Sequence, residues 1–363
     1  MSWAKWTGSG GNSKPDMDTV IELLSTPIVQ SVLLGILPLV FILVYALVVL
    51  YMEMKIAAHI QDRLAYMRTG WHGVLQPFAD MIKLLQKEDV VPVQADQLLF
   101  RVAPYVVFGG TYAAYAVLPF SSMYIGANIH LGVFFLVAVS SLVVVGILMA
   151  GWASNNKWAI FGGIRSAAQM ISYEIPTALA IVVAAMITGT LNLQEVTRFQ
   201  DGGIQNWVVF GGALPLGKKL LILPFTLITF LIMFVASIAE VNRTPFDLPE
   251  AESELVQGFN TEYSGMRFAM FYLAEYANLF LVSAVAVSLF LGGWSSPFGS
   301  FMSGPVWGIF WFVLKAMFFV FMQIWIRWTL PRLRVDQLMY TSWKVLTPWL
   351  FACIFAVGFV LVA

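Results

Sequence analysis

The sequence predicts an all-α, polytopic membrane helix bundle of about eight transmembrane helices, with one amphipathic helix at the inner interface. Three observations lead there. Apolar residues fill 60% of the 363 positions and charged ones only 11%, more apolar side chain than a water-facing surface can carry. They gather into stretches of the roughly 20 residues that cross a bilayer core as helix. Lysine and arginine fall mostly in alternate connections between those stretches, the asymmetry that accompanies membrane insertion.

Residues 1–30 form a polar leader segment with Lys5, Lys14, Asp16, Asp18 and Glu22. The first apolar run, about 31–52, is too long and begins too late for a cleavable signal peptide, so it reads as a retained span. Further spans are expected at about 102–120, 131–153, 166–188, 220–240, 268–291, 305–326 and 345–363, making 31–363 a single membrane domain. Connections from odd to even spans hold Lys55, Arg63, Arg68, Lys83, Lys87, Arg101, Lys157, Arg165, Arg243, Arg267, Arg327, Arg332, Arg334 and Lys344. The leader and the other connections hold only Lys5, Lys14, Arg198, Lys218 and Lys219. That excess puts loops 53–101 and 241–267 in the cytoplasm and both termini outside.

Loop 53–101 is too long for a simple turn. Within it Val74, Leu75, Phe78, Met81, Ile82 and Leu85 recur at helical steps, with Gln76, Asp80, Lys83 and Lys87 opposite. This predicts an amphipathic helix in the inner interface. It either packs its apolar face on the spans it joins or, with Lys55 and Arg63, frames a portal for a lipid-soluble ligand.

Candidate chemistry lies with the acids. The stretch E-V-N-R-T-P-F-D-L-P-E-A-E-S-E-L-V-Q-G-F-N-T-E-Y-S-G from Glu240 to Gly265 gathers Glu240, Asp247, Glu250, Glu252, Glu254 and Glu262, a cluster that lipid insertion does not require. Glu250 and Glu254 would share a face if that segment is helical. Ionisable groups inside spans are costly, and functional candidates by default. Glu174 is about 13 Å deep counted from Arg165, and Glu275 about 12 Å deep counted from Arg267, at 1.5 Å per helical residue. Lys315 lies near the middle of its span. A proton path from the acidic loop through Glu275 and Glu174 towards Lys315 is the functional reading. The structural alternative ties each glutamate to a base such as Arg243 or Arg267. Pro176 and Pro224 fall within spans, where they kink helices or merely pack.

Other chemistries find no support. The single Cys353 cannot form an intrachain disulfide, an all-cysteine iron–sulfur centre or a structural zinc site, and reads as apolar filler. His59, His72 and His130 lie in connections rather than at bis-histidine haem spacing. There is no dinucleotide or P-loop fingerprint, and a net charge of zero gives no case for nucleic acid. The chain itself is expected to bind no redox cofactor.

The acidic loop, together with E-M-K-I-A-A-H-I-Q-D-R-L from Glu53, L-Q-P-F-A-D from Leu75, K-E-D at Lys87, I-S-Y-E-I-P from Ile171, F-Y-L-A-E-Y from Phe271 and L-P-R-L-R-V-D-Q-L-M from Leu330, resembles the H-subunit family of proton-pumping NADH:quinone oxidoreductase, respiratory complex I. The mitochondrial member of that family is the first of the membrane-encoded complex I subunits. The resemblance runs over roughly residues 50 to 345. It implies a heel subunit that encloses much of a quinone tunnel. FMN, NADH and iron–sulfur clusters would be held by partner subunits of a peripheral arm, and small and antiporter-like membrane subunits would adjoin it. Carried over by motif, Gln61, Arg63, Asp80, Phe246, Tyr272 and Arg327 would lie along the quinone path. Glu174, Glu240, Glu250, Glu252, Glu254, Glu262 and Glu275 would form the proton relay. Two departures bear on the portal: Met54 stands where the family usually has arginine, and Ala65-Tyr66 where it usually has Gly-Pro. Two alternatives are weighed: a membrane anchor of an energy-converting hydrogenase-type complex, and a stand-alone ion transporter. The latter would show internal repeats and broken helices, and the sequence suggests neither. The polar leader and the lack of an Arg-rich transit pattern point to a bacterial inner membrane.

Overall fold

The computed structural model describes residues 27–249, 251–299 and 301–362, with side chains from Gly35 onward except those of 252 and 253. Among the described residues it is helical, with no strand. Seven helices are long and apolar enough to cross a membrane: α1 (Pro27–Ile60), α4 (Gly132–Ala153), α5 (Lys157–Thr188), α7 (Leu216–Glu240), α9 (Gly265–Phe290), α10 (Pro305–Thr329) and the run formed by α11 (Val335–Tyr340), a π-helical turn (Thr341–Leu346) and α12 (Thr347–Val362). The other expected span is α3 (Gln97–Tyr115), 19 residues interrupted by Arg101 and Pro104, packed between α4 and α9. The short helices are α2 (Gln76–Gln86), α6 (Leu193–Phe199) and α8 (Glu252–Leu255).

α9 is the hub. Every described side chain from Tyr276 to Phe290 on it is buried, and α1, α3, α7 and α10 pack around it. Phe280 shows how: its ring meets Phe41, Tyr45, Tyr115, Phe120 and Phe312 at centroid distances of 4.9–6.4 Å. The outward sides of α1, α10 and α12 stay apolar, with Leu37, Val44, Leu314, Phe318 and Phe355 all exposed. In a membrane that surface faces lipid or other subunits.

Polar contacts sort the connections into two ends. Asp96 N–H donates to Ala153 O, Asn155 to Gln94 O, Asn156 to Glu262, and Arg165 and Arg332 both to Glu254. The four basic-rich connections therefore meet at one end, called the acidic-loop end below. At the other end Ile204 N–H donates to Pro297 O and Asn192 to Asn128. The acidic connection seats directly on α5. A Cβ on Gly162 would lie 2.6 Å from Gly258 Cα, so only glycine lets the two backbones approach this closely.

α2 turns the sides expected from its periodicity in a definite sense. Its apolar residues Leu75, Phe78, Met81, Ile82 and Leu85 are exposed, while Gln76 and Asp80 turn inward. It packs on α1 and α9 with its apolar residues turned away, and its polar side meets Thr69 in the connection after α1. Thr69 donates to Gln76 at 2.7 Å and Gln76 to Asp80 at 3.2 Å.

Candidate functional site

The first site is a buried ion cluster that no single stretch of sequence announces. Glu53, 3% exposed, sits on α1 just beyond the expected end of its span. Its two carboxylate oxygens each accept a 2.8 Å hydrogen bond from Arg243, and it accepts a further 2.8 Å bond from the Tyr276 hydroxyl. Arg327, from α10, closes on the same carboxylate. Arg243 stacks over the Tyr276 ring at 4.7 Å and brings Nε to 2.9 Å from Glu275 Oε1. The Glu275 contact is an ion pair rather than a well-aligned hydrogen bond. Two guanidiniums thus pair with two carboxylates, as buried charges must be paired. Burial alone would lower the Arg243 pKa, but Glu53 and Glu275 outweigh it and raise it well above its ordinary value. Arg243 stays charged.

Beside this cluster lies a cavity of about 40 Å3 lined by Glu240, Glu275, Asn242, Asn260, Asn278 and apolar residues of α3–α5 and α9. That exceeds the ~10–15 Å3 a water needs, and its carboxylates and amides supply the partners a water requires. Glu240 and Glu275 thus share one polar chamber. Glu174, on α5, is not among the residues that line it. Gln169 fixes the geometry: its amide nitrogen lies 2.8 Å from Ala239 O and 2.6 Å from Phe246 O, pinning the turn after α7 to α5.

The loop carboxylates are placed differently. Glu254 is half exposed and clamped by Arg165 at 2.6 Å and Arg332 at 2.8 Å. The Arg165 hydrogen bond, with Arg332 adding, holds its carboxyl below the usual range. Glu262 accepts a 2.6 Å hydrogen bond from Asn156. Arg267, expected as a partner for a relay glutamate, pairs instead with Asp89 at 3.0 Å. Glu250 and the Glu252 side chain lie outside the described residues. Among the described residues between α7 and α9 the α-helix is the four-residue α8, which holds Glu254; the expected face shared with Glu250 falls outside the described residues.

The proposed path residues divide too. Gln61, Arg63 and Asp80 gather at the foot of α1, where Arg63 Nε donates to Gln61 at 2.7 Å. Tyr66 lies among them, its phenol pKa pushed up by burial and then by Asp80. Arg327 is in the ion cluster. Phe246 is buried edge-on against Tyr173, ring centroids 5.2 Å apart, and Tyr272 leans on Phe268 at 4.6 Å. Lys315 stands apart from every relay carboxylate named above. Its ammonium donates to the carbonyls of Leu291, Gly293 and Ser295 at 2.8–3.0 Å and lies 4.5 Å over Trp207. It ties down the turn that follows α9, whose carbonyls have no helical donor. Among the described residues no group of three His, Cys, Asp or Glu is arranged to hold a metal ion.

Comparison with known proteins decides the family. The profile of the NADH dehydrogenase family matches residues 33–358. A protein of Chlorobium luteolum described as the H subunit of NADH-quinone oxidoreductase is 50% identical over 98% of this chain and 94% of its own length. Its Chlorobaculum parvum counterpart is 50% identical over 93% and 96%, and that of Anaeromyxobacter dehalogenans 47% over 84% and 75%. The chain belongs to the H-subunit family of NADH-quinone oxidoreductase.

Within that family assignment, the site residues that sequence reasoning misses are Glu53 and Tyr276, and Arg243 as more than a counter-ion. Their signal is faint: each stands inside or beside a family motif, but their partners are 190 and 223 positions apart.

Proposed function

We propose that this chain is the membrane heel subunit of a proton-translocating NADH:quinone oxidoreductase, which guides quinone past the foot of α1 and couples its reduction to proton movement through buried carboxylates. The observation that carries the reading is the chamber shared by Glu240 and Glu275, with Glu275 in turn paired to Arg243 and so to Glu53 and Arg327. A protein that only anchors an enzyme has no need of a hydratable cavity between two acids, one of them paired to a buried guanidinium.

Quinone would enter near Gln61, Arg63, Asp80 and Tyr66 and approach the cluster from the Glu53–Arg327 side, with Phe246 and Tyr272 further along. Quinone reduction takes up protons, so electrons arriving on a quinone beside the cluster add negative charge there until protons follow. In a low-dielectric setting that imbalance is felt strongly over a few ångströms. It acts on Glu275 directly, on Glu240 across the chamber and on Glu174 beyond it, so a charge event at the quinone side displaces a proton at the acid side. Glu262, with Glu250 and Glu252, would supply protons from the solvent-facing loop, and Glu254, clamped by Arg165 and Arg332, would hold that end of the relay in place. NADH, FMN and iron–sulfur clusters belong in this reading to peripheral-arm partners; small and antiporter-like membrane subunits would adjoin the exposed apolar faces. The setting is a bacterial inner membrane, with the acidic-loop end cytoplasmic and both chain ends periplasmic.

Affinity purification of the tagged chain from its own membranes tests the assignment. The heel subunit comes out with iron–sulfur and antiporter-like partners and NADH:quinone reductase activity. A chain isolated alone would favour a transporter, and one isolated with a hydrogenase would favour the anchor reading.

A further inference from the structure

Two prolines interrupt the helical ladder on neighbouring elements, and one hydrogen bond connects the interruptions. Pro176 lies inside α5 and has no N–H, so the carbonyl it would serve four residues back, that of Ser172, loses its helical donor. The Ser172 hydroxyl does not fill the gap, because it donates to Ala168 O at 2.6 Å, a turn further back. Pro348 stands near the start of α12, directly after the π-helical turn Thr341–Leu346. A proline ring clashes with the carbonyl four residues before it, here that of Lys344. The chain takes the wider π register instead, with Thr347 N–H donating to Ser342 O five residues back.

That wide turn presents Ser342 to α5. The side chain is fully buried, and its hydroxyl donates to Ser172 O, in place of the N–H that Pro176 lacks. Neighbouring bonds hold the same register: Trp343 Nε1 donates to Ser172 Oγ at 3.3 Å and the Tyr173 hydroxyl to Leu338 O at 3.1 Å. The Thr347 hydroxyl donates to Ser342 O at 2.9 Å, so Ser342 is itself held. Glu174, half-buried, lies between Ser172 and Pro176, inside the segment these bonds fix. A buried carbonyl left unserved beside a proline lets a helix bend to find another donor, and Glu174 would swing with it.

We propose that Ser342 is a positioning residue for proton transfer: standing in for the backbone donor missing at Pro176, it sets the angle of α5 at Glu174 and so the direction in which that carboxyl meets the rest of the relay. The inference rests on the reading of Glu174 as a relay acid. Ser342 passes no proton itself, its hydroxyl being committed to Ser172 O, and it is none of the residues placed along the quinone path.

The test uses the complete complex in its own membranes and in proteoliposomes, scaled to NADH:ferricyanide activity. Ser342→Ala should lower the kcat of quinone reduction and the rate of proton uptake roughly tenfold, the rate equivalent of one orphaned buried carbonyl, with the quinone KM unchanged. Pro176→Ala returns a backbone N–H to Ser172 O, so on that background Ser342→Ala should cost about twofold or less. Ser342→Cys, close in size with a weaker donor, should fall between Ser342→Ala and the unaltered complex. A role confined to stability would lower the thermal midpoint and leave kcat per assembled complex intact, which overturns the proposal. So does an equal loss from Ser342→Ala with and without Pro176→Ala. If Ser342→Ala alone does not assemble, the double variant decides: assembly with near-normal turnover supports the proposal, and no recovery overturns it. Glu174→Gln separates the two readings. Lost coupling in Glu174→Gln beside normal kcat in Ser342→Ala defeats only the role of Ser342; normal coupling in Glu174→Gln defeats the relay reading of Glu174 and the positioning role with it.

Discussion

Arg243 reaches Glu275 with Nε at 2.9 Å while its terminal nitrogen serves both oxygens of Glu53. One guanidinium from the acidic connection therefore joins α1 to α9, and Arg327 adds α10. The connection that the sequence marks as functional is also what ties the bundle together at that end.

Removing Arg243 should be severe. It is 2% exposed, and Arg243→Ala would strand Glu53 and part of Glu275. Breaking a buried pair from one side costs about 3–5 kcal/mol. The expected result is little assembled complex in membranes, read by native gel. Arg243→Lys, which keeps the charge but loses the fork, should assemble and reduce quinone slowly.

Lys315→Met should separate stability from coupling. Three carbonyls at the end of α9 lose their donor, a loss on the order of 3 kcal/mol, so the thermal midpoint of the complex falls. Quinone reduction per assembled complex stays near that of the unaltered enzyme, since Lys315 touches none of the relay acids. Normal stability with pumping abolished would put Lys315 back in the proton path.

The Glu254 clamp gives a pH dependence with a definite sign. Its carboxyl is held low by Arg165 and Arg332, so its contribution is present above the unfolded carboxylate value of about 4.3 and is lost as pH falls through the lower folded value. Hydrogen exchange of residues 254–264 should be flat from pH 8 to 5, after correction for intrinsic rates, and quicken only in stronger acid. Arg332→Ala moves that onset upward. An onset near neutrality would mean the clamp does not hold the loop.

Asp80→Asn should alter the quinone KM while leaving assembly intact, because Asp80 faces Tyr66 and Gln76 at the proposed entrance rather than the core. Steady-state kinetics with a short-chain quinone reads this; failure to assemble would assign Asp80 a structural role.

Much of this is legible in the sequence, and what is not has a physical reason. Hydropathy locates the spans and the one-sided basic residues locate the ends, because both follow from the bilayer alone. Hydropathy also closes the first span at 52 and opens another at 166, next to the charges Glu53 and Arg165. In the structure α1 runs on to Ile60 and α5 begins at Lys157. A charge ends a span only if nothing in the bundle neutralises it, and Glu53 is neutralised by residues far along the chain. The periodicity of α2 is visible, but not which way it faces; the outward apolar side follows from lipid, which a soluble-protein reading would bury. Lys315 reads as a mid-span charge awaiting a relay acid, whereas the carbonyls of the turn after α9 hold its ammonium.

The central claim is that Glu240 and Glu275 pass a proton through their shared chamber. Glu240→Gln keeps the shape and hydrogen-bonding capacity of the side chain and removes only its proton exchange, so the most direct measurement is proton uptake by proteoliposomes of that variant during NADH:quinone turnover. The account predicts that coupled quinone reduction and proton uptake are both lost while NADH:ferricyanide activity survives. Unchanged pumping and quinone reduction in assembled Glu240→Gln complex would contradict it.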